Sequence, residues 1–174
     1  DIICEEPHHN FNANNMIVHN SGKTQVAHQL MVNSLKQFDD GIVVVIDTEN
    51  TFSPNRIRQM AKAQKMNPEE TLKRIKVAKA YNSDHQIFLA EQIETLIKQG
   101  NHVVLVIVDS LMAHLRSEYV GRGTLADRQG ILNKHLSTLS KLADLHDLPV
   151  FVTNQVSANP AQAYGDPNKP VGGN

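Results

Sequence analysis

Ser21-Gly22-Lys23-Thr24 is the second half of a phosphate-binding loop of the form G-x-x-x-x-G-K-[ST]. In such a loop backbone N–H groups and the lysine cradle the β- and γ-phosphates, while the last hydroxyl turns to Mg²⁺. The pattern asks for its first glycine at position 17, and the chain has Ile17 there. A β-branched residue suits neither the positive φ nor the close phosphate approach that glycine permits. Downstream the pattern holds. Val26, Ala27, Leu30, Met31 and Leu35 fall at helical spacing, which predicts a helix from Lys23 to about Phe38. A helix N-terminus is where a phosphate binds.

Working outward, Gly41 precedes Ile42-Val43-Val44-Val45-Ile46, a fully buried strand that ends at Asp47-Thr48-Glu49. Val103-Val104-Leu105-Val106-Ile107-Val108-Asp109 is a second. Between them, Ser53-Pro54 opens a helix that continues from Arg56 to Lys65, and Asn67-Pro68-Glu69-Glu70 opens a short one. Ile75 to Ala80 reads as a strand. Ser83-Asp84-His85-Gln86 reads as a capping box for a helix with Leu89, Ile93, Leu96 and Ile97 on one face, stopped by Gly100. A glycine-broken loop, Ser117 to Gly123, leads to Thr124. That residue is expected to cap a long helix running to about His146, with Leu132, Leu136, Leu139 and Leu142 or Ala143 as its stripe. Pro149 to Thr153 is a last strand, and the proline-rich stretch from Asn154 to Gly173 a loop.

Strands alternating with helices imply a parallel, doubly wound α/β sheet. Ligands of such sheets sit beyond the carboxyl ends of the strands. Glu49, Asp109 and Gln155 all lie at or just past those ends. Asp109 is placed to hold Mg²⁺ with Thr24, Glu49 to activate an attacking water, and Gln155 to sense the terminal phosphate. The plainer alternatives are an acid capping the next element, a solvated strand end and an ordinary loop residue.

A single cysteine, Cys4, excludes a disulfide scaffold and fits a reducing, cytoplasmic setting. The longest apolar run, Val103 to Val108, is far too short to cross a bilayer, so no membrane role is expected. Seventeen basic against 18 acidic residues give a net charge of −1. Nucleic-acid binding must therefore come from local patches or repeated subunits. Both ends of the chain are expected to be cut.

Residues 1–20 are rich in Asn and His. Cys4, His8, His9 and His19 match no common zinc spacing, and a tag or scar is the plain alternative. The stretch nevertheless resembles the C-terminal end of an intein. It carries Asp1, then His9-Asn10-Phe11, the apolar pair Ile17-Val18, and His19-Asn20 directly before Ser21. The chemistry suits those types: the Asn20 amide can attack its own carbonyl and release Ser21, with imidazoles moving the protons. The resemblance implies that His19 is the penultimate histidine, His9 its helper and Ser21 the nucleophile that accepts the upstream flank. The partner would be an upstream intein portion. Two segments follow: an intein tail over 1–20 and an ATPase core over 21–174.

From Ser21 to Asn174 the chain resembles the ATPase core of the RecA/RadA recombinases, most closely their archaeal branch. The stretches that carry this are Ser21-Gly22-Lys23-Thr24-Gln25, Ile46-Asp47-Thr48-Glu49, Arg116 to Leu125, Thr153-Asn154-Gln155-Val156, Gly165-Asp166-Pro167 and Pro170-Val171-Gly172-Gly173. It implies a RecA-like P-loop fold, ATP and Mg²⁺ as cofactors, and filament formation on single-stranded DNA. It also implies pairing and strand exchange with double-stranded DNA. Lys23, Thr24 and Asp109 would form the ATP–Mg²⁺ set with Gly22 and Gln25 in the loop, Glu49 the base and Gln155 the coupling residue. Arg56 would lie against adenine, although Ser53 and Asn55 stand where the family usually has Arg and an acid. Arg116, Tyr119 and Arg122 would belong to a first DNA-binding loop, and Val156 to Gly172 would form a second. Asp166 to Pro170 would cap the ATP of a neighbouring subunit. Two rival readings are a nucleotide-binding, non-catalytic paralogue that acts through protein partners, and a split-intein splicing element.

Overall fold

Continuous β-branched runs make strands that must be covered on both faces, and the two such runs lie side by side at the middle of the sheet. A computed structural model describes residues 10–13, 16–19, 22–158 and 168–170. In chain order, strands β1 (Asn10–Ala13) and β2 (Met16–His19) are followed by helix α1 (Lys23–Gln37) and strand β3 (Ile42–Asp47). Helices α2 (Pro54–Ala63) and α3 (Pro68–Lys73), strand β4 (Ile75–Lys79) and helix α4 (Ser83–Lys98) come next. Strand β5 (Val103–Asp109), helix α5 (Ala113–Glu118), a 3-10 turn (Arg122–Thr124) and helix α6 (Leu125–His146) precede β6 (Val150–Val152). Short strands β7 (Val156–Ala158) and β8 (Asn168–Pro170) close the order. Among the described residues no helix is long and apolar enough to cross a membrane.

The main sheet has the order β4-β3-β5-β6, and every pair in it is parallel. Strand alternation divides its residues between two cores. Val43, Val45, Leu105 and Ile107 pack with Ala27, Met31, Val32 and Leu35 of α1 and with Ile57 of α2. Val44, Ile46, Val106 and Val108 face Ala90 and Ile93 of α4 and Leu132, Leu139 and Leu142 of α6. The expected parallel sheet flanked by helices is therefore present. Because all four strands point the same way, their carboxyl ends share one edge.

Local chemistry fixes the joints. Ser53 caps α2 by accepting the Arg56 N–H, with Pro54 in the first turn. Gly41 has no room for a side chain, since a Cβ there would lie 2.6 Å from Val104 Cγ1. Arg74 ties off the end of α1 by donating to the carbonyls of Leu35, Phe38 and Gly41.

Several boundaries differ from expectation. The cap of α4 is Asn82, whose side chain accepts the His85 N–H at 2.7 Å. Ser83 instead gives its N–H and hydroxyl to Glu118, so no capping box forms at Ser83. Part of the loop from Ser117 is the end of α5, a helix with one buried residue and hence little periodicity. Thr124 precedes α6, yet its hydroxyl donates backwards to Val120 and Gly121 instead of capping the helix. On α6, Leu136 is 38% exposed and His135 takes the inward position at 1%. Both lie within three to four residues of Leu132 and Leu139, and the apolar one was the natural choice from spacing alone. Finally, the presumed loop after Asn154 contains β7 and β8, paired antiparallel with Val156 opposite Pro170.

Candidate nucleotide site

The carboxyl edge of the sheet brings together the ends of β3, β5 and β6 with the start of α1. Gly22 precedes α1 in a left-handed conformation, φ 81°, and no side chain caps the helix behind it. A left-handed glycine at an uncapped helix start suits an anion. From the first turn of α1, the Thr24 hydroxyl donates to Asp109 Oδ2 at 2.8 Å. Thr51 donates to the same oxygen at 3.1 Å, and Thr153, at the end of β6, donates to Oδ1. Three hydroxyls thus hold one carboxylate that is only 7% exposed.

A second buried acid shapes the turn after β3. Asp47 accepts from the backbone N–H groups of Glu49, Thr51 and Phe52 at 3.3, 3.1 and 3.1 Å. That turn sets Thr51 on Asp109 and Glu49 beside Ser110. Thr48 straps the two strand ends together: its hydroxyl donates to the Ser110 carbonyl and accepts the Ser110 N–H, each at 2.8 Å. The Asp109–Ser110 peptide bond is cis.

Glu49 is at the centre of a chain of side chains. Its Oε1 accepts from the Ser110 hydroxyl at 2.6 Å and from Gln155 Nε2 at 3.1 Å. The other end of the same amide, Gln155 Oε1, accepts from Arg116 Nη1 on α5. Arg56, in the first turn of α2, donates its Nε to Gln25 Oε1 in the first turn of α1 at 2.8 Å. Buried His28 accepts the Ser53 N–H through Nε2 and meets Phe52 edge-on at 5.7 Å. Burial, foremost, holds the His28 imidazole below its ordinary pKa, so it is neutral there.

Thr24, Asp109, Glu49, Gln155 and Arg116 therefore form one connected group, and Gln25 with Arg56 a second beside it. Lys23 opens α1 at the same place. Tyr119 is half-buried against the α4–α6 core. Arg122 starts the 3-10 turn, and its side chain lies outside the described residues. His9, Asn20, Ser21 and Asp166, with Cys4 and His8, also lie outside them. Of the remaining expected residues, His19 and Pro170 are described as backbone, in β2 and β8. Ile17, at the place of the loop's first glycine, pairs with Asn12 in the β1–β2 ladder. Asp47, Thr51, Ser110 and Thr153 carry no site role in the sequence reading, although Asp47, Ser110 and Thr153 stand at or just past strand ends, the signal that singles out Asp109.

The donor set fits a magnesium–nucleotide. Mg²⁺ is held by one or two carboxylates, with phosphate oxygens and water completing its shell, and Asp109 with Thr24 offers that minimum. Among the described residues there is no cluster of three or more His, Cys, Asp or Glu of the kind that holds a metal by protein ligands alone. In comparison with known families, the Rad51 family model matches residues 16–174. That match begins at Met16, the first residue of β2.

Proposed function

The chain belongs to the Rad51 family, and we propose that it is the ATP-binding core of an archaeal-type DNA recombinase, interrupted at its phosphate loop by an intein tail. The carrying observation is the 2.8 Å contact between Thr24 and Asp109, with Glu49 held nearby through Ser110. Thr24 and Asp109 would hold Mg²⁺, which when bound neutralises charge on the β- and γ-phosphate oxygens. Lys23 and the start of α1 would bind those phosphates, and Arg56 with Gln25 would flank the base. Glu49 would orient the attacking water and take its proton. Gln155 would link this base to the DNA-facing loops, where Arg116, Tyr119 and Arg122 would meet the strand. Asp166 to Pro170 would reach a neighbouring subunit's ATP in the filament.

The test is ATP turnover by the spliced protein with and without single-stranded DNA. Glu49→Gln should leave ATP binding intact and lower turnover by about a hundredfold or more. Wild-type protein whose turnover ignores DNA would defeat the recombinase reading in favour of a nucleotide-binding paralogue.

For residues 1–20, the order of His9, His19, Asn20 and Ser21 supports splicing, as does a ladder that sets Asn10 opposite His19. Asn20 would cyclise and release Ser21, with His19 and His9 assisting. Supplied with the upstream intein portion, the junction should yield a product beginning at Ser21, read by intact mass. Asn20→Ala should abolish that product, and undiminished cleavage in this variant would remove the splicing reading.

A further inference from the structure

We propose that Arg116 is a positioning residue that holds the Gln155 amide on Glu49, and that a nucleic-acid phosphate is the ligand that draws it away. This rests on the recombinase reading and assigns Arg116 a restraining part within it.

A glutamine side chain offers an acceptor at one end and donors at the other, and the two ends can exchange places. A guanidinium only donates. Its contact with Gln155 therefore fixes Oε1 towards Arg116 and leaves Nε2 pointing at Glu49, 3.1 Å from Oε1. The same carboxylate oxygen takes the Ser110 hydroxyl at 2.6 Å. An oxygen that already accepts two hydrogen bonds is poorly placed to accept a proton from water, which leaves the carboxylate only Oε2 for that task. In this arrangement one of the two oxygens of the expected base is engaged, and Arg116 orients one of the two groups that engage it.

Arg116 itself is exposed on α5, within reach of an approaching strand. The neutral amide oxygen that it holds is a weaker partner than a phosphate. A phosphate brings a full negative charge and two oxygens that match the guanidinium fork, where the amide offers one neutral oxygen. A phosphate would take the guanidinium, and the Gln155 amide would lose the contact that orients it. The event is felt at Glu49 through a single intervening side chain, with no movement of the sheet required.

The experiment compares ATP turnover of the spliced wild type and Arg116→Ala, each without DNA and with saturating poly-dT. Binding of the same DNA is measured in parallel by fluorescence anisotropy. Without DNA, Arg116→Ala should turn over ATP at least about fivefold faster than wild type, through kcat and not KM. Its stimulation by DNA should shrink accordingly. Because the side chain is exposed, thermal melting should be unchanged. DNA-free turnover within about twofold of wild type, with stimulation recovered at saturating DNA, would reduce Arg116 to a phosphate contact and overturn the proposal. A slower DNA-free rate would overturn it too, since the contact would then assist the base. A wild type lacking DNA-stimulated turnover would strike the functional reading first, and this inference with it.

Discussion

Two polar clusters are buried against the central strands, and they are completed to different degrees. At the carboxyl edge, Asp47 and Asp109 each accept three hydrogen bonds, Asp47 from backbone N–H groups and Asp109 from threonine hydroxyls. Between α4 and α6, Gln86 and His135 are equally buried but leave Gln86 Oε1 and His135 Nδ1 without a partner. Their mutual contact is 3.2 Å, and Gln86 also donates to the Leu111 carbonyl at 3.1 Å. The difference follows from charge. A buried carboxylate without donors costs far more than a neutral amide or imidazole with one contact missing. The edge cluster is therefore tightly specified, whereas the interior pair tolerates a deficit and is open to attack by acid.

The comparison is broken most directly at Asp47. Asp47→Ala deprives three backbone N–H groups of their acceptor in a part-buried turn. At roughly 1–3 kcal/mol for each orphaned group, partly recovered by water, the cost should be about 4 kcal/mol. Urea denaturation reads the loss. Amide exchange should speed up at Glu49, Thr51 and Phe52 in particular, and a cost below about 1 kcal/mol would mean that the turn holds without its acid.

Acid should find the other cluster. Desolvation pushes the His135 imidazole down to about 4 in the folded protein, from an ordinary 6.5. The unfolded chain therefore binds the proton first. Stability is complete above pH 6.5, falls as the pH drops towards 4, and this contribution levels off below that. The full loss is on the order of 3 kcal/mol. His28 is shifted in the same direction, again mainly by burial, and adds to the slope. His135→Leu should remove only its own share of the pH dependence between 6.5 and 4. An unchanged profile would show that His135 already reaches water.

At the edge, Thr153→Val keeps the shape and removes one of Asp109's three donors. The expected cost is about 1.5 kcal/mol, as for a hydrogen bond to a charged acceptor. Thr153→Ser should recover most of it. A valine variant as stable as wild type would show that two threonines suffice.

Much of this edge was legible in the sequence, because buried parallel strands are written as unbroken apolar runs and their terminal acids stand out. Asp109 and Glu49 were visible for that reason. Their partners were not: Thr51 and Thr153 are ordinary hydroxyl residues 102 positions apart, and only the strand order brings both to Asp109. Arg116 was readable as a basic loop residue, but its hold on Gln155 depends on α5, a six-residue helix too short to declare itself by periodicity. The interior pair was hidden by a tie. His135 and Leu136 both fit the spacing of α6, and what decides between them is the Gln86 amide, 49 residues earlier. The α4 cap was a tie of the same kind, because Asn82 and Ser83 are both good capping types. Glu118 resolves it by engaging Ser83.

The smallest effect sharpens the comparison furthest. Gln86→Met removes the amide but keeps its length, leaving the Leu111 carbonyl and His135 Nε2 without a donor, at a cost of about 2 kcal/mol. His135→Leu alone leaves Gln86 with one more unmet group, at a similar cost. In the double variant both side chains are apolar, like the buried Leu132 and Leu139 about one turn to either side of position 135 on α6. Replacing both partners of a buried polar contact by groups of similar shape can be nearly neutral. The double variant should therefore lie within about 1 kcal/mol of wild type, well short of the 4 kcal/mol that additivity requires. It should also lose the His135 share of acid sensitivity. Additive losses would mean that Gln86 and His135 do not act as a pair, and that the Leu111 carbonyl, next to the Ser110 that engages Glu49, is what Gln86 serves. A one-sided replacement at Asp109 has no such compensation, because an apolar residue in place of one threonine leaves a buried charge with one donor fewer.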